Sequence, residues 1–191
     1  MAYPASNSEH KAYCNVDGAV VWFTGLPCAG KTTLATALAP RMAERVPVEV
    51  FDGDEWRKQW VPQLGWSKAD RCANLELVGR VAATLARHSI YVLCAFVSPL
   101  RSMRAIVRDI CRDVEFIEVY VKCPPEVCRD RDVKGMWAKA ARGEILEFTG
   151  LSAPYEAPYD PDIVVDTNNK SEQECVNELM EALRMTPRWF L

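Results

Sequence analysis

The sequence predicts a three-layer α/β/α fold built on a five-stranded parallel sheet. Three observations lead there. Five short apolar runs recur along the chain, separated by stretches with helical periodicity. The runs are apolar throughout rather than alternating, so both faces of the sheet must be covered. A glycine-bearing turn separates the first run from the first helix, as in sheets that bind ligands at the carboxyl ends of their strands.

Taken in order, Ala19–Phe23 is the first buried strand, and a helix follows from about Lys31 to Glu44. Val48–Phe51 is the second strand. Asp54 to about Trp60 is a short helix, stopped by Pro62. Ser67 and Asp70 form a capping box that opens a long helix, with Leu75, Val78, Ala82 and Leu85 along one face. Ile90–Val97 is the central strand. Pro99 sits where a helix can start, and that helix runs to about Cys111. Phe116–Val121 is the fourth strand, and Pro124-Pro125 opens another short helix. Residues 132–161 are rich in Gly, Pro and charge, with weak periodicity, and read as a mobile excursion. Ile163–Val165 is the last strand. Ser171 and Glu174 cap a final helix whose apolar stripe is Val176, Leu179, Met180 and Leu183.

The 191 residues suit one domain, residues 18–191, behind a flexible tail, residues 1–17. With 49% apolar residues the chain can bury a core, and a net charge of −3 speaks against a broad nucleic-acid footprint. Local basic clusters are still allowed, and Arg101, Arg104 and Arg108 form one. No secretory h-region precedes the first strand, and the longest apolar run, Ile90–Val97, falls far short of the roughly 20 residues of a membrane span. A soluble, cytoplasmic protein is expected. The eight cysteines (Cys14, Cys28, Cys72, Cys94, Cys111, Cys123, Cys128 and Cys175) are scattered without a CxxC pair, and neither His10 nor His88 adds metal spacing. Reduced, packed thiols are expected.

Gly25-Leu26-Pro27-Cys28-Ala29-Gly30-Lys31-Thr32 satisfies G-x-x-x-x-G-K-[ST], and Thr33 follows it into the helix. The glycines let backbone N–H groups converge on phosphate oxygens, and the helix N-terminus adds partial positive charge. Lys31 can reach the β- and γ-phosphates, and the Thr32 hydroxyl can ligate Mg²⁺. This places the fold in the P-loop class. Cys28, inside the loop, reads as filler, or as a reactive thiol if exposed.

Within that class, Asp132-x-x-Gly135 and Asn169-Lys170-Ser171-Glu172 imitate GTPase motifs. Asp132 follows no apolar strand, however, and Glu172 stands where the guanine-reading aspartate belongs. A small-molecule kinase instead needs an acid near a hydroxyl acceptor, cationic clamps and a lid. Asp52 and Asp54 lie just past the second strand, and Arg57 is one helical turn beyond. Arg71 and Asn74 share a face of the long helix. The excursion 132–161 is the lid candidate, carrying Lys134, Lys139 and Arg142.

From about Val20 to Thr167 the sequence resembles the adenylyl-sulfate kinase (APS kinase) family. The matching segments are Gly25–Thr33, Phe51-Asp-Gly-Asp54 with Arg57, Leu64-Gly-Trp-Ser67 with Asp70-Arg71 and Asn74, and Phe96-Val-Ser-Pro99 with Arg101 and Arg104. Beyond them come Phe116–Val121, Lys134-Gly135, Phe148-Thr-Gly150, Pro154-Tyr-Glu-Ala-Pro158 and Asp166-Thr167. The resemblance implies transfer of the γ-phosphate of ATP to the 3′-hydroxyl of adenosine 5′-phosphosulfate (APS), with Mg²⁺, and it implies a homodimer. It makes Asp54 the catalytic carboxylate. It puts Arg57, Arg71 and Asn74 on the phosphosulfate or ribose, and Trp66 with Phe148 around the acceptor's adenine. Ser98 would touch the acceptor or metal shell, Lys139 would close from the lid, and Arg131 and Thr167 belong to the donor side. Each has a plain alternative: a helix cap, a solvated arginine, a core aromatic, an ordinary lid lysine.

The sequence departs from the family pattern at Glu55, where Asn is usual, and at Ala73-Asn74-Leu75-Glu76-Leu77, where the family carries Glu-Asn-Ile-Arg-Arg. Leu100 and Trp137 each replace a tyrosine, and Trp66 stands where Phe is usual. These changes spare the phosphotransfer residues and fall on the acceptor side. A related kinase acting on another hydroxyl, such as a cytidine diphosphate conjugate, is the second reading. A nucleotide-binding regulatory protein without catalysis is the third.

Overall fold

The computed structural model describes residues 17–186. The expected tail falls almost wholly outside the described residues, as do His10 and Cys14. Five parallel strands, β1 (Ala19–Thr24), β2 (Val48–Asp52), β3 (Tyr91–Ala95), β4 (Glu115–Lys122) and β5 (Ile163–Asp166), form one sheet in the order β2-β3-β1-β4-β5. β1 lies at the centre, with Val21 between Leu93 and Ile117.

Alternation along β1 splits the core in two. Val21 and Phe23 face α1 (Lys31–Met42) and α7 (Glu172–Arg184), meeting Leu34, Leu38, Leu179 and Leu183. Val20 and Trp22 face α3 (Lys68–Ala86) and α4 (Arg101–Ile110), meeting Leu75, Val78, Met103 and Val107. Both faces of the inner strands are therefore covered, which is why β1 and β3 carry no polar alternation. α2 (Gly53–Trp60) follows β2 directly, and α5 (Pro125–Arg131) starts on Pro125. The Ser171–Glu174 capping box of α7 closes as expected. At α3 the Ser67 hydroxyl accepts from the Asp70 N–H, while the Asp70 carboxylate takes the Ser67 hydroxyl rather than its backbone N–H.

Two expectations differ from the structure. The fourth helix starts at Arg101, not at Pro99. The carbonyl of Pro99 accepts the N–H of Glu156, and Ser98 adopts a left-handed φ of 37°, so the chain turns before it coils. The excursion 132–161 is not featureless: it holds helix α6 (Met136–Ala141), with Trp137, Ala140, Phe148 and Thr149 buried. The Asp132 carboxylate caps α6, accepting the N–H groups of Trp137 and Ala138 at 2.9 Å each. A six-residue helix with two buried positions leaves almost no periodic signal.

The seven described cysteines are unpaired, and five of them are buried. No helix among the described residues is long and apolar enough to cross a membrane.

Candidate active site

At the carboxyl end of β1 the strand order changes direction, β3 lying on one side and β4 on the other, and this opens a crevice. The loop 25–32 fills its floor. Gly25 is obligatory: a Cβ there would sit 2.5 Å from the Val121 carbonyl oxygen. Gly30 takes φ 104° as it enters α1. Cys28 holds φ 66°, a conformation that costs a non-glycine residue roughly 1 kcal/mol. The rest of the structure must supply that, and it braces the loop from two sides. Thr167 donates its hydroxyl to the Ala29 carbonyl at 2.9 Å, and Arg131 bridges the Thr167 carbonyl (2.6 Å) and the Cys28 carbonyl (3.5 Å). On the other flank Trp137 Nε1 donates to the Pro27 carbonyl at 3.3 Å. A Cβ on Gly150 would come within 2.8 Å of Leu26 Cδ2 and 2.9 Å of the Trp137 ring, so the turn after Phe148 lies flush on the loop.

Lys31 curls back onto this loop. Its ammonium donates to the carbonyls of Leu26 (2.7 Å) and Gly25 (3.1 Å), and the side chain is buried. Burial lowers its pKa from 10.5 to about 8, because the charged form loses its hydration.

Asp52, the last residue of β2, caps α2 by accepting the N–H groups of Asp54 (3.0 Å) and Glu55 (3.1 Å). Its other oxygen takes the Thr32 hydroxyl at 2.6 Å. Burial pushes the Asp52 pKa up, but these three hydrogen bonds outweigh it and hold the carboxyl below its usual range. Asp52 thereby joins the nucleotide loop to the Asp-Gly-Asp turn, a link the sequence reading did not assign. The signal was there: two aspartates one residue apart, one aimed at the helix cap and one beyond it.

Asp54 projects toward the cleft and pairs with Lys134 at the base of α6. Lys139 was the lysine expected to close from the lid. It lies on the exposed side of α6, and a second lysine, Lys134, makes an ion pair with Asp54. Both lysines were visible in the sequence. Gly135, left-handed at φ 65°, turns the chain between them and separates their directions.

Trp66 stands 54% exposed on the loop before α3, with the Arg57 guanidinium 4.2 Å from its ring centroid. Arg57 also donates to the Gly65 carbonyl at 2.9 Å. Arg71 spends its donors within the protein: on the Trp66 carbonyl (2.8 Å), the Thr149 hydroxyl (3.0 Å) and the Glu147 carbonyl (2.7 Å). It therefore ties the Trp66 loop to the segment after α6. Phe148 is buried edge-on against Trp137, centroids 5.1 Å apart, so this aromatic belongs to the core beneath the cleft. Asn74 is buried, and its side-chain oxygen has no hydrogen-bond partner. An orphaned acceptor costs about 1–3 kcal/mol, which a ligand donor would recover.

Ser98 does not reach the cleft through its side chain. It is 2% exposed, and its hydroxyl accepts the Trp22 indole N–H at 3.1 Å. Three residues beyond β3, the serine expected on the acceptor or metal shell points toward Trp22 and the core between sheet and α3–α4. Residues 154–158 run as a laced strap past Thr24 and the start of α4. Tyr155 meets the Thr24 hydroxyl at 3.1 Å, and Arg101 takes the Glu156 carboxylate (2.8 Å, through its N–H) and the Ala157 carbonyl (2.7 Å).

Residues 17–166 match the family model described as adenylylsulphate kinase. Adenylyl-sulfate kinase from Chloroflexus aurantiacus is 48% identical over 167 residues, covering 87% of this chain and 89% of that one. The adenylyl-sulfate kinase of Synechococcus sp. (strain JA-3-3Ab) is 46% identical over 168 residues, covering 87% and 94%. Among solved structures, the Mycobacterium tuberculosis APS kinase CysC in complex with AMPPNP and APS superposes with a TM-score of 0.85 at 37% identity, covering 88% of this chain and 99% of that one. A gluconokinase from Sinorhizobium meliloti, at 16% identity and a TM-score of 0.55, shares the fold alone.

Proposed function

This chain belongs to the adenylylsulphate kinase family, and on that footing we propose that it transfers the γ-phosphate of ATP to the 3′-hydroxyl of adenosine 5′-phosphosulfate, giving 3′-phosphoadenosine 5′-phosphosulfate. The observation that carries the reading is the extent of the match. Residues 17–166 include every element that lines the cleft, the acceptor side with Asp54, Trp66 and Arg71 as well as the nucleotide loop.

The chemistry follows from the residues present. Backbone N–H groups of residues 26–31 and the start of α1 receive the phosphates. Lys31 exchanges its two carbonyl partners for β- and γ-oxygens. Thr32 and Asp52, already in contact, are the oxygens suited to Mg²⁺, which binds through one or two protein groups and takes the rest of its shell from substrate phosphate and water. When bound, that ion neutralises charge on the transferring group. Asp54 holds the 3′-hydroxyl in line and accepts its proton. Lys134 leaves Asp54 for the transferring phosphoryl as the acceptor arrives, so one cation serves the empty and the loaded site. Asn74 offers its unpaired oxygen to the acceptor, and Trp66 offers an aromatic face to its adenine. Arg57, stacked on the Trp66 ring, gives up that face as the adenine arrives and is a cation within reach of the phosphosulfate. Arg71 holds the two walls of the pocket at fixed spacing.

The test is turnover of purified protein with ATP and APS, following ADP release and the 3′-phosphorylated product. Product formation dependent on both substrates and on Mg²⁺ is expected. No turnover of APS alongside turnover of a different hydroxyl acceptor would remove the assignment.

A further inference from the structure

Arg104 is buried to 3% exposure at the back of the cleft, away from the residues placed on either substrate above. Its guanidinium meets three separate pieces of chain. Nη1 donates to the Ser98 carbonyl at 2.7 Å, and Nη2 donates to the Glu156 carbonyl at 2.7 Å. Nε lies 2.7 Å from the buried Glu118 carboxylate, a charge contact whose N–H is not aimed along the line to the oxygen. A buried guanidinium with one carboxylate partner and two carbonyls is compensated, and it is also geometrically committed: three positions must hold together for any of them to be satisfied.

Those positions matter for the cleft. Ser98 occupies a left-handed φ of 37° that a serine adopts at a cost, so something must hold it there. Arg104 holds its carbonyl and Trp22 holds its hydroxyl. The backbone just before it supports the Asp-Gly-Asp turn, since a Cβ on Gly53 would lie 3.2 Å from the Ala95 carbonyl oxygen and 3.3 Å from the Phe96 ring. Glu156 belongs to the strap that continues back to the Phe148 turn. The nucleotide loop has its own braces in Arg131, Thr167 and Trp137.

Resting on the functional reading above, we propose that Arg104 is a positioning residue for the acceptor. By fixing the Ser98 corner and the strap together, it sets where the Asp54 turn presents its carboxylate, and it acts on the acceptor half of the site rather than on the nucleotide half. A misplacement on the scale of an ångström at the reacting groups costs up to about a hundredfold. A lysine at position 104 keeps a charge for Glu118 and cannot span both carbonyls.

Steady-state kinetics on R104K, W22F and R108A test this. R104K is expected to raise the KM for APS about tenfold and to lower kcat, with the KM for ATP within about twofold of wild type. W22F keeps an aromatic ring in the core and deletes the indole donor to Ser98, leaving its hydroxyl only the 3.4 Å bond to the Phe96 carbonyl, so it shifts the KM for APS in the same direction. R108A removes the outer contacts to Glu118 and Asp162 and leaves both KM values in the wild-type range. Folded R104K with a wild-type KM for APS, or with both KM values raised in the same proportion, overturns the proposal. Should R104K not be recovered folded, an unchanged KM for APS in W22F overturns it. Absence of wild-type turnover with APS would count instead against the functional reading.

Discussion

Raising the pH of a nucleotide titration from 7 to 9 perturbs Lys31 more than any other group placed on the nucleotide. Its pKa of about 8 in the unliganded protein arises because burial strips water from the ammonium and two carbonyls replace it only in part. Bound triphosphate supplies several negative charges within contact distance and returns the pKa to at least the ordinary 10.5. ATP binding must then take up protons: about a tenth of a proton at pH 7, half at pH 8 and about nine-tenths at pH 9. Affinity should fall about fivefold between pH 8 and 9 for the same reason. The folding linkage has a definite sign. Lys31 titrates lower in the folded than in the unfolded chain, so the unfolded chain binds more protons between about pH 8 and 10.5. Stability rises with pH across that window, and the full cost, about 3 kcal/mol, is present below pH 8. Isothermal calorimetry of ATP binding without acceptor, in paired buffers of different ionisation enthalpy, reads the uptake directly. Lys31→Met abolishes it and stabilises the unliganded protein near neutral pH. Uptake that stays flat from pH 7 to 9, or that survives in the methionine variant, refutes the reasoning.

Other substitutions separate the parts of the site. Asp54→Asn keeps shape and removes the base, so kcat falls at least about a hundredfold while the ATP dissociation constant moves less than about threefold; equal losses in both would make Asp54 a donor-site residue. Lys134→Met lowers kcat about tenfold or more and Lys139→Met only marginally, as judged by parallel turnover assays; the reverse order would restore the lysine first expected from the sequence. Gly150→Ala forces a methyl into Leu26 and Trp137 from a left-handed backbone at φ 93°. It should cost about 2 kcal/mol in chemical denaturation and weaken ATP binding, whereas a wild-type unfolding midpoint would show that the turn does not press on the loop.

Sheet and helices were legible because each strand is a run of apolar residues bounded by punctuation, and because Ser67, Ser171 and Pro125 mark helix starts by known chemistry. Trp22, in the first strand, reads only as core until its indole is seen to hold Ser98. The excursion 132–161 defeated periodicity: α6 is too short for a repeat, and its order comes from the Asp132 cap five residues away and from Trp137 and Gly150 meeting partners more than a hundred residues away in the nucleotide loop. The motif residues Lys31, Thr32 and Asp54 were readable because their spacing encodes their chemistry. Asp52 needed the Thr32 contact to be recognised, and choosing between Lys134 and Lys139 needed the direction of the chain at Gly135. The direction of Ser98 was hidden for a local reason. A serine before a proline at a strand end looks like a site residue or a cap, and a positive φ turned this one inward.

A nucleotide loop whose carbonyls hold its own ammonium discriminates by valence. An anion held only by the backbone N–H groups leaves Lys31 on its two carbonyls, and one that draws the ammonium must displace both. A lone sulfate or inorganic phosphate recovers little beyond that initial loss, while a chain of phosphates lying along the whole loop recovers it several times over. The folded-back lysine thus favours a long polyanion over a small one, while the loop's amides stay available to either.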